Sequence, residues 1–190
     1  WNQPAGSHPN VFTYTNADAV ELIYNGQSLG IQRHDPTDLA RRNIILWSGI
    51  DYGTGGKLTA IARTGGKEVA RDEIETTGKA VALKIESDPL CQGWEQIDGL
   101  QYFNIYAIDA KGRVVPNATD HVSVSVTGDA TFLALDNGDH YTNDLFLDVT
   151  TKPMQTGYMQ CILRSTHKAG KAIVTVTSPT LKGCKMVLKN

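Results

Sequence analysis

The stretch VELIYNGQSLGIQ, from Val20 to Gln32, carries the clearest indication of how this chain folds. Residues 20–24 and 28–32 follow the two-residue repeat of strands that bury one face. Asn25 and Gly26 lie between the two segments, and both residue types tolerate the positive φ that a two-residue turn requires. The stretch therefore predicts an antiparallel β-hairpin.

The same patterning continues on both sides of this hairpin. Gly65-Gly66 forms a second predicted tight turn, and turn residues recur about every 8–12 residues, a spacing typical of a β-sandwich. Only Pro36–Arg42 has helical character, over one or two turns at most. The strands predicted in this half are Val11–Thr15, Val20–Tyr24, Ser28–Gln32, Asn43–Tyr52, Lys57–Arg63 and Glu68–Thr76.

The strand pattern restarts after Thr77-Gly78-Lys79, so we place a domain boundary near Gly78. The predicted fold class is all-β, with two antiparallel β-sandwiches in tandem at residues 1–78 and 79–190. The strands predicted in the second half are Val81–Ile85, Leu100–Ile108, Val122–Val126, Thr131–Leu135, Leu145–Val149, Gly157–Leu163, Ala172–Val176 and Cys184–Leu188.

Composition narrows the classes of partner. The 190 residues are 41% hydrophobic and 20% charged, as in ordinary folded domains, and the formal net charge is −2. Lys and Arg form no basic stripe, so the sequence gives no reason to expect nucleic acid or an acidic membrane as a partner. No apolar run approaches the roughly 20 residues of a membrane span.

Three cysteines, Cys91, Cys161 and Cys184, are spaced too widely for a zinc knuckle or a CxxC redox motif. We interpret them as small buried hydrophobic residues. A disulfide between Cys161 and Cys184 is the alternative, if their strands are neighbours.

No motif for catalysis, a metal or a cofactor is found. Gly53-Thr-Gly-Gly-Lys57 lacks the spacing and the following helix of a phosphate loop, and a hairpin loop is the better interpretation. The five histidines form no HxH, HxxxH or HExxH pair. The one GxSxG match, Gly26–Gly30, lies in the predicted β-hairpin and lacks the strand-to-helix turn that a nucleophile elbow requires. The glutamates lie in or beside predicted strands or in a loop, and the alternation in Glu73-Ile-Glu75 favours a solvated face.

The densest polar segment is LALDNGDHYTND, from Leu133 to Asp144. Its three aspartates are compatible with a calcium loop, but the EF-hand spacing is absent. The favoured interpretation is a polar turn at Asn137-Gly138 in which the flanking aspartates bind the local backbone.

Aromatic residues are candidates for a sugar-stacking platform. Trp47 lies in an apolar strand and is predicted to be a core residue. Trp94 lies in an irregular segment and is the best single candidate for surface stacking. Trp1 precedes the first strand and is expected to contact another part of a longer protein. The remaining candidates are Tyr102, Tyr106 and Tyr141.

These segments, taken in order, resemble glycoside hydrolase family 2. VFTYTNADAVELIYNGQSLG (Val11–Gly30) is similar to the start of the immunoglobulin-like domain that follows the barrel in bacterial β-galactosidases and their relatives. The segment GKLTAIARTGGKEVA (Gly56–Ala70) resembles that domain's last hairpin. YFNIYAIDAKGRVVPNA (Tyr102–Ala118) and LDNGD (Leu135–Asp139) resemble the next domain. The chain departs from the family pattern at residues 140–144.

The resemblance implies two immunoglobulin-like sandwiches that accompany a retaining exo-glycosidase, whose catalytic glutamates lie on the barrel. The family's acid/base stands in an Asn-Glu pair, and no Asn-Glu dipeptide occurs in these 190 residues. The resemblance therefore implies accessory domains without catalytic, metal or cofactor residues, which pack on the barrel, shape its cleft or form an oligomer interface. It also implies a periplasmic or secreted bacterial protein.

The alternative function is a carbohydrate-binding or adhesion-type module. The residues expected to contact carbohydrate or an interface are Trp1, Trp94, His140 and Tyr141.

Overall fold

A computed structural model describes residues 1–91, 99–166 and 170–189. The chain divides into two compact units, Trp1–Thr76 and Thr77–Asn190. The division lies two residues before the boundary placed at Gly78. Every extended sheet is antiparallel, which confirms the all-β sandwich class. Among the described residues, no helix has the length and apolarity to cross a membrane.

The first unit is a sandwich of unequal halves. A four-stranded sheet in the order β3-β2-β5-β6 is opposed by a two-stranded sheet, β1-β4. Its core is a cluster around Val20, Leu22, Trp47 and Leu58. The strands are β1 Val11–Tyr14, β2 Ala19–Tyr24, β3 Gln27–Arg33, β4 Ile44–Trp47, β5 Lys57–Thr64 and β6 Lys67–Glu75.

The opening hairpin is confirmed. β2 and β3 pair through a turn in which Asn25 has φ 50° and Gly26 has φ 82°. The Asn25 side chain also accepts a hydrogen bond from the backbone amide of Lys57, 2.9 Å away, and so ties the turn to β5. Trp47 is 3% exposed, which confirms it as a core residue.

The outermost strands of the larger sheet differ in charge. Every residue of β3 and β6 is exposed. Six of the nine residues of β6 are charged, whereas Arg33 is the only charged residue of β3. Turns, without a helix, occupy Pro36–Arg42.

The second unit is a sandwich of two four-stranded sheets, β10-β12-β8-β7 and β11-β9-β13-β14. One cluster of buried side chains fills the space between them, with Ile105, Met159 and Leu163 fully enclosed. A 3₁₀ turn, Pro89–Cys91, follows the first strand. The strands are β7 Ala82–Ser87, β8 Leu100–Ile108, β9 His121–Gly128, β10 Ala130–Asp136, β11 Thr151–Pro153, β12 Tyr158–Ser165, β13 Lys171–Thr177 and β14 Cys184–Lys189.

Two predicted strands are wrong in part. Asn43–Tyr52 forms a strand only over Ile44–Trp47, because Gly49 takes φ 63° and ends the extended run. Leu145–Val149 pairs with β10 only at an isolated bridge, Ala134–Leu147, and Asp148 has φ 58°. The short strand β11 was not predicted.

The cysteines behave as small core residues where their side chains are described. Cys161 on β12 is fully buried, and Cys184 on β14 packs against the same cluster. Their strands belong to opposite sheets and both thiols are free, so the disulfide alternative is wrong. Burial raises the pKa of the Cys161 thiol to about 12.

Candidate binding surfaces

Trp1 lies against its own sandwich. The ring meets Tyr52 edge-on at a centroid distance of 5.1 Å and Tyr24 at 6.2 Å. Its backbone nitrogen donates a hydrogen bond to the Glu75 carbonyl at 2.9 Å, and the residue is partly buried against the first core. These contacts give Trp1 a structural role in the first unit. Trp94 lies outside the described residues.

His140 and Tyr141 lie in the polar segment that follows β10. Three side-chain oxygens in succession accept hydrogen bonds from the amide two residues ahead: Asp136 from Gly138, Asn137 from Asp139, and Asp139 from Tyr141. Asn137 is buried and donates to the Pro153 carbonyl at 3.0 Å. The prediction of a polar turn whose side chains bind the local backbone is confirmed.

Exposed aromatic and apolar side chains follow this turn, on a backbone that hydrogen bonds hold in place. Tyr141 is 86% exposed, with the His140 ring 4.1 Å away at 37°. Leu145, Phe146 and Leu147 are also exposed, although the Phe146 carbonyl accepts from the amide of Leu135 and the amide of Asp148 donates to Leu133. The structure thus brings His140 and Tyr141 together but leaves Trp1 in the other unit.

The small sheet of the first unit is apolar on both faces. Val11, Ile45 and Trp47 point into the core. On the other face, Phe12 pairs with Leu46 and Tyr14 pairs with Ile44, and Phe12 and Tyr14 are 53% and 76% exposed. A groove of about 490 Å³ adjoins this outer face, between β4 and the segment 32–41. A sheet with large apolar side chains on both faces is typical of one covered on both sides.

Glutamates on three of the described strands, β2, β6 and β7, are engaged in ion pairs. Glu21 accepts from Arg63 at 2.8 Å, Glu73 contacts Lys57 at 2.7 Å, and Glu86 contacts Lys84 at 2.6 Å. These pairs lie on outer sheet faces, where such charges form a solvated surface. In the part of the chain that the structure describes, no three His, Cys, Asp or Glu side chains converge on a common point that could hold a metal ion.

One buried carboxylate organises the entry to the second unit. Asp109 is 3% exposed and accepts hydrogen bonds from the Arg113 guanidinium and from the amides of Gly78, Lys111 and Arg113. The Arg113 hydrogen bonds, followed by that from Gly78, hold the pKa of Asp109 well below its usual range. All of these partners belong to the second unit itself, so we assign Asp109 a structural role.

The outer face of sheet β10-β12-β8-β7 gathers tyrosines and amides. Core residues alternate on β8 and β12, so Asn104, Tyr106, Tyr158 and Gln160 lie on the opposite face. Tyr106 pairs with Tyr158 across the strands, with ring centroids 5.5 Å apart, and Asn104 pairs with Gln160. Sequence analysis named Tyr102 and Tyr106 as candidates but missed the other three residues. The two-residue alternation of Asn104-Ile-Tyr106 and Tyr158-Met-Gln160 was the available signal.

Comparisons with known proteins cover nearly the whole chain. Residues 95–187 match the glycoside hydrolase family 2 C-terminal domain 5, and residues 6–70 match a domain of unknown function, DUF4982. The chain is 31% identical over 185 residues to the β-galactosidase BoGH2A of Bacteroides ovatus, an alignment covering 96% of this chain and 21% of that relative. It is 28% identical over 104 residues to a putative β-glucuronidase of Formosa agariphila, covering 49% of this chain and 12% of that protein.

A solved structure matches over the full length. The crystal structure of a glycosyl hydrolase family 2 member from Bacteroides cellulosilyticus superposes with a TM-score of 0.86 at 27% identity, covering 100% of this chain and 25% of that one. The chain thus spans about a fifth to a quarter of the proteins that it matches along its whole length.

Proposed function

Because the chain belongs to the C-terminal domains of glycoside hydrolase family 2, we propose that it is the non-catalytic accessory region of a β-galactosidase-type enzyme. In this proposal the parent hydrolyses terminal β-glycosides on a separate catalytic barrel. The two sandwiches pack on that barrel, shape the rim of its cleft or form an oligomer interface.

The observation that carries the proposal is the extent of the match. Both sandwiches align with the β-galactosidase of B. ovatus in one continuous alignment of 185 residues, whereas the match to the putative β-glucuronidase spans 104. The longer of these two matches is to the β-galactosidase, so we propose a β-galactosidase-type parent. The ion-paired glutamates of the described strands support an accessory role, since each is occupied by a neighbouring cation or hydroxyl.

The outer face of the β1-β4 sheet is the surface that we assign to packing on the barrel. Phe12, Tyr14, Ile44 and Leu46 form a contiguous apolar face on only two strands. Burying such a face stabilises an interface by about 25 cal/mol per Å² of apolar surface removed from water, before the cost of association. Our proposal keeps the periplasmic or secreted location, because an enzyme that degrades external glycans meets them outside the cytoplasm. Fractionation of the source cells tests that point.

The first experiment separates catalysis from accessory function. The 190-residue chain is incubated with a nitrophenyl β-galactoside, and we expect no turnover. Saturable turnover that disappears when one of the chain's own carboxylates is changed would overturn the proposal.

The second experiment uses the parent enzyme, identified by reading the coding sequence upstream of Trp1. We expect a barrel with two catalytic glutamates there. The double variant Phe12→Ser/Tyr14→Ser should lower the Tm of the parent, because it places hydroxyls in an apolar interface. Val69→Ser, at an exposed position on β6, is the matched control. An unchanged Tm in the double variant would exclude this face as the packing surface.

A further inference from the structure

The outer face of β10-β12-β8-β7 differs in chemistry from the other large sheet faces. The outer face of the first unit's four-stranded sheet is dominated by ion pairs such as Glu21–Arg63 and Lys57–Glu73. On β9, β13 and β14 the outward residues are mainly serine, threonine, lysine and aliphatic residues, among them the exposed pair Ile173–Val187. Within the described residues, a pair of contacting tyrosines alternates with amides only on the β8-β12 face.

The amides of this face are held in place but not saturated. The Tyr158 hydroxyl donates to Asn104 Oδ1 at 2.9 Å, and Asn104 is 7% exposed. Gln160 Nε2 donates to Asp88 Oδ2 at 3.0 Å. In the described part of the chain, Asn104 Nδ2, Gln160 Oε1 and the Tyr106 hydroxyl bond to no protein atom. A donor, an acceptor and a group that can do either therefore remain available, and two of them belong to side chains already fixed by another bond.

Fixed polar groups beside an aromatic pair select a particular kind of ligand. Side chains that are ordered before binding lose little entropy when a ligand arrives. A tyrosine pair offers apolar ring surface with a polar edge. A pyranose ring has the complementary chemistry, because its C–H face can lie on an aromatic ring while its hydroxyls both donate and accept hydrogen bonds. A purely apolar ligand would leave the buried amide of Asn104 unpaired, which is costly.

The charged side chains around these tyrosines and amides indicate which class of sugar could bind. Glu86 and Asp136 flank Asn104 and Gln160 in the strand register, and Asp88 contacts Gln160. The cation Lys84 beside Tyr106 is already paired with Glu86 at 2.6 Å. Because Lys84 and Glu86 neutralise each other, Asp88 and Asp136 leave a net negative charge that repels uronic acids and sulfated glycans and favours neutral sugars.

We propose that the outer face of β8 and β12 binds a neutral oligosaccharide, with Tyr106 and Tyr158 as the stacking pair and Asn104 and Gln160 as the hydrogen-bonding groups. The site lies on the outer face of the sheet and holds the glycan without cleaving it. It would keep the enzyme near a polysaccharide. This role goes beyond that of accessory packing and does not depend on which bond the parent hydrolyses.

Affinity electrophoresis of the 190-residue chain tests the proposal, with a soluble β-galactan and a soluble xyloglucan as the neutral probes and polygalacturonate as the acidic one. We expect retardation by at least one neutral polymer and none by polygalacturonate. Tyr106→Ala should weaken binding about tenfold, as expected when one anchoring aromatic is lost. Tyr158→Phe keeps the ring but frees Asn104 from its hydrogen bond, and should weaken binding by a smaller factor.

Ile173→Ala is the matched control, since Ile173 is an exposed strand residue on the opposite sheet of the same unit. Its mobility shift should equal that of the unmodified chain, and far-UV circular dichroism establishes that every variant is folded. Failure of all neutral probes to retard the chain overturns the proposal, as does retardation that Tyr106→Ala leaves unchanged. A fall in the Tm of the parent enzyme on Tyr106→Ala, without any glycan retardation, would instead assign this face to a protein interface.

Discussion

The two sandwiches bury their apolar side chains to different extents. In the second unit, four strands lie over four, and side chains such as Ile105, Met159 and Leu163 are fully enclosed. In the first unit only two strands oppose four, and a smaller cluster fills the core. The small sheet there exposes Phe12 and Tyr14 on its outer face, while grooves open along both of its sides.

This difference shows that two domains of one fold class can differ in whether they need a partner to bury their apolar surface. A sandwich with two complete sheets buries its apolar face by itself. A sandwich with a partial second sheet leaves apolar surface that another part of the enzyme can cover.

The largest expected effect comes from truncating the enclosed core. Leu163→Ala should lower the free energy of unfolding of the second unit by about 3–4 kcal/mol, because the dense surroundings cannot collapse into the cavity. Leu22→Ala in the first unit should cost about 2–3 kcal/mol, since a half-covered core relaxes more readily. Urea denaturation followed by far-UV circular dichroism measures both, and fluorescence of Trp1 and Trp47 in a Trp94→Phe background reports on the first unit. A larger cost for Leu22→Ala would contradict the comparison.

The opening turn of the first unit should show the next largest effect. Asn25→Ala puts a less tolerant residue at φ 50° and removes the acceptor for the Lys57 amide. We expect a loss of about 2 kcal/mol in unfolding free energy. Asn25→Gly keeps the conformation and loses only the hydrogen bond, so it should cost less. Equal losses would show that the turn conformation contributes nothing measurable.

Acidification should show how much the buried carboxylate of Asp109 contributes to the stability of the second unit. Because the folded-state pKa of Asp109 is depressed, its contribution is fully present above the unfolded value, near pH 4, and is lost as the pH falls toward the folded value. The unmodified chain should therefore lose stability below about pH 4 more steeply than Asp109→Asn. Thermal melts of both proteins between pH 2 and 6 measure the slopes. Asp144→Asn, which removes a carboxylate at an exposed position, is melted alongside as the matched control.

The smallest expected effect is a difference between the alkylation rates of two thiols. In the native protein Cys161 should resist alkylation at mildly alkaline pH, because burial raises its pKa to about 12 and blocks access. Cys184, which is partly exposed, should be labelled faster. Iodoacetamide labelling with peptide mass spectrometry measures the two rates. Labelling of Cys161 as fast as Cys184 would show that the second core opens readily.

Sequence reasoning succeeded where local chemistry determines the structure. The Asn25-Gly26 turn and the polar turn at Asn137-Gly138 depend on conformations and side-chain bonds that neighbouring residues supply. It failed at Leu145–Val149, whose apolar composition suggests a strand, because the positive φ of Asp148 and a single bridge to β10 are not encoded in a hydrophobic pattern.

The binding surfaces were harder to predict than the strands. Pairing of Tyr106 with Tyr158, 52 residues apart, depends on the register of β8 against β12, which a single sequence does not specify. Trp1 was expected to contact another part of a longer protein, and its packing against Tyr52 depends on where the chain returns after β4. His140 and Tyr141 needed no long-range information, since they are adjacent in the chain.

The unequal edges of the first sheet bear on how the molecule behaves in concentrated solution. The charges of β6 discourage another strand from aligning beside it, whereas the exposed backbone of β3 carries only one charged side chain. Wherever copies of the chain crowd together, β3 is the edge at which intermolecular sheets can begin. Ile31→Lys would give β3 the electrostatic protection that β6 already has, which is a practical route to a more soluble domain.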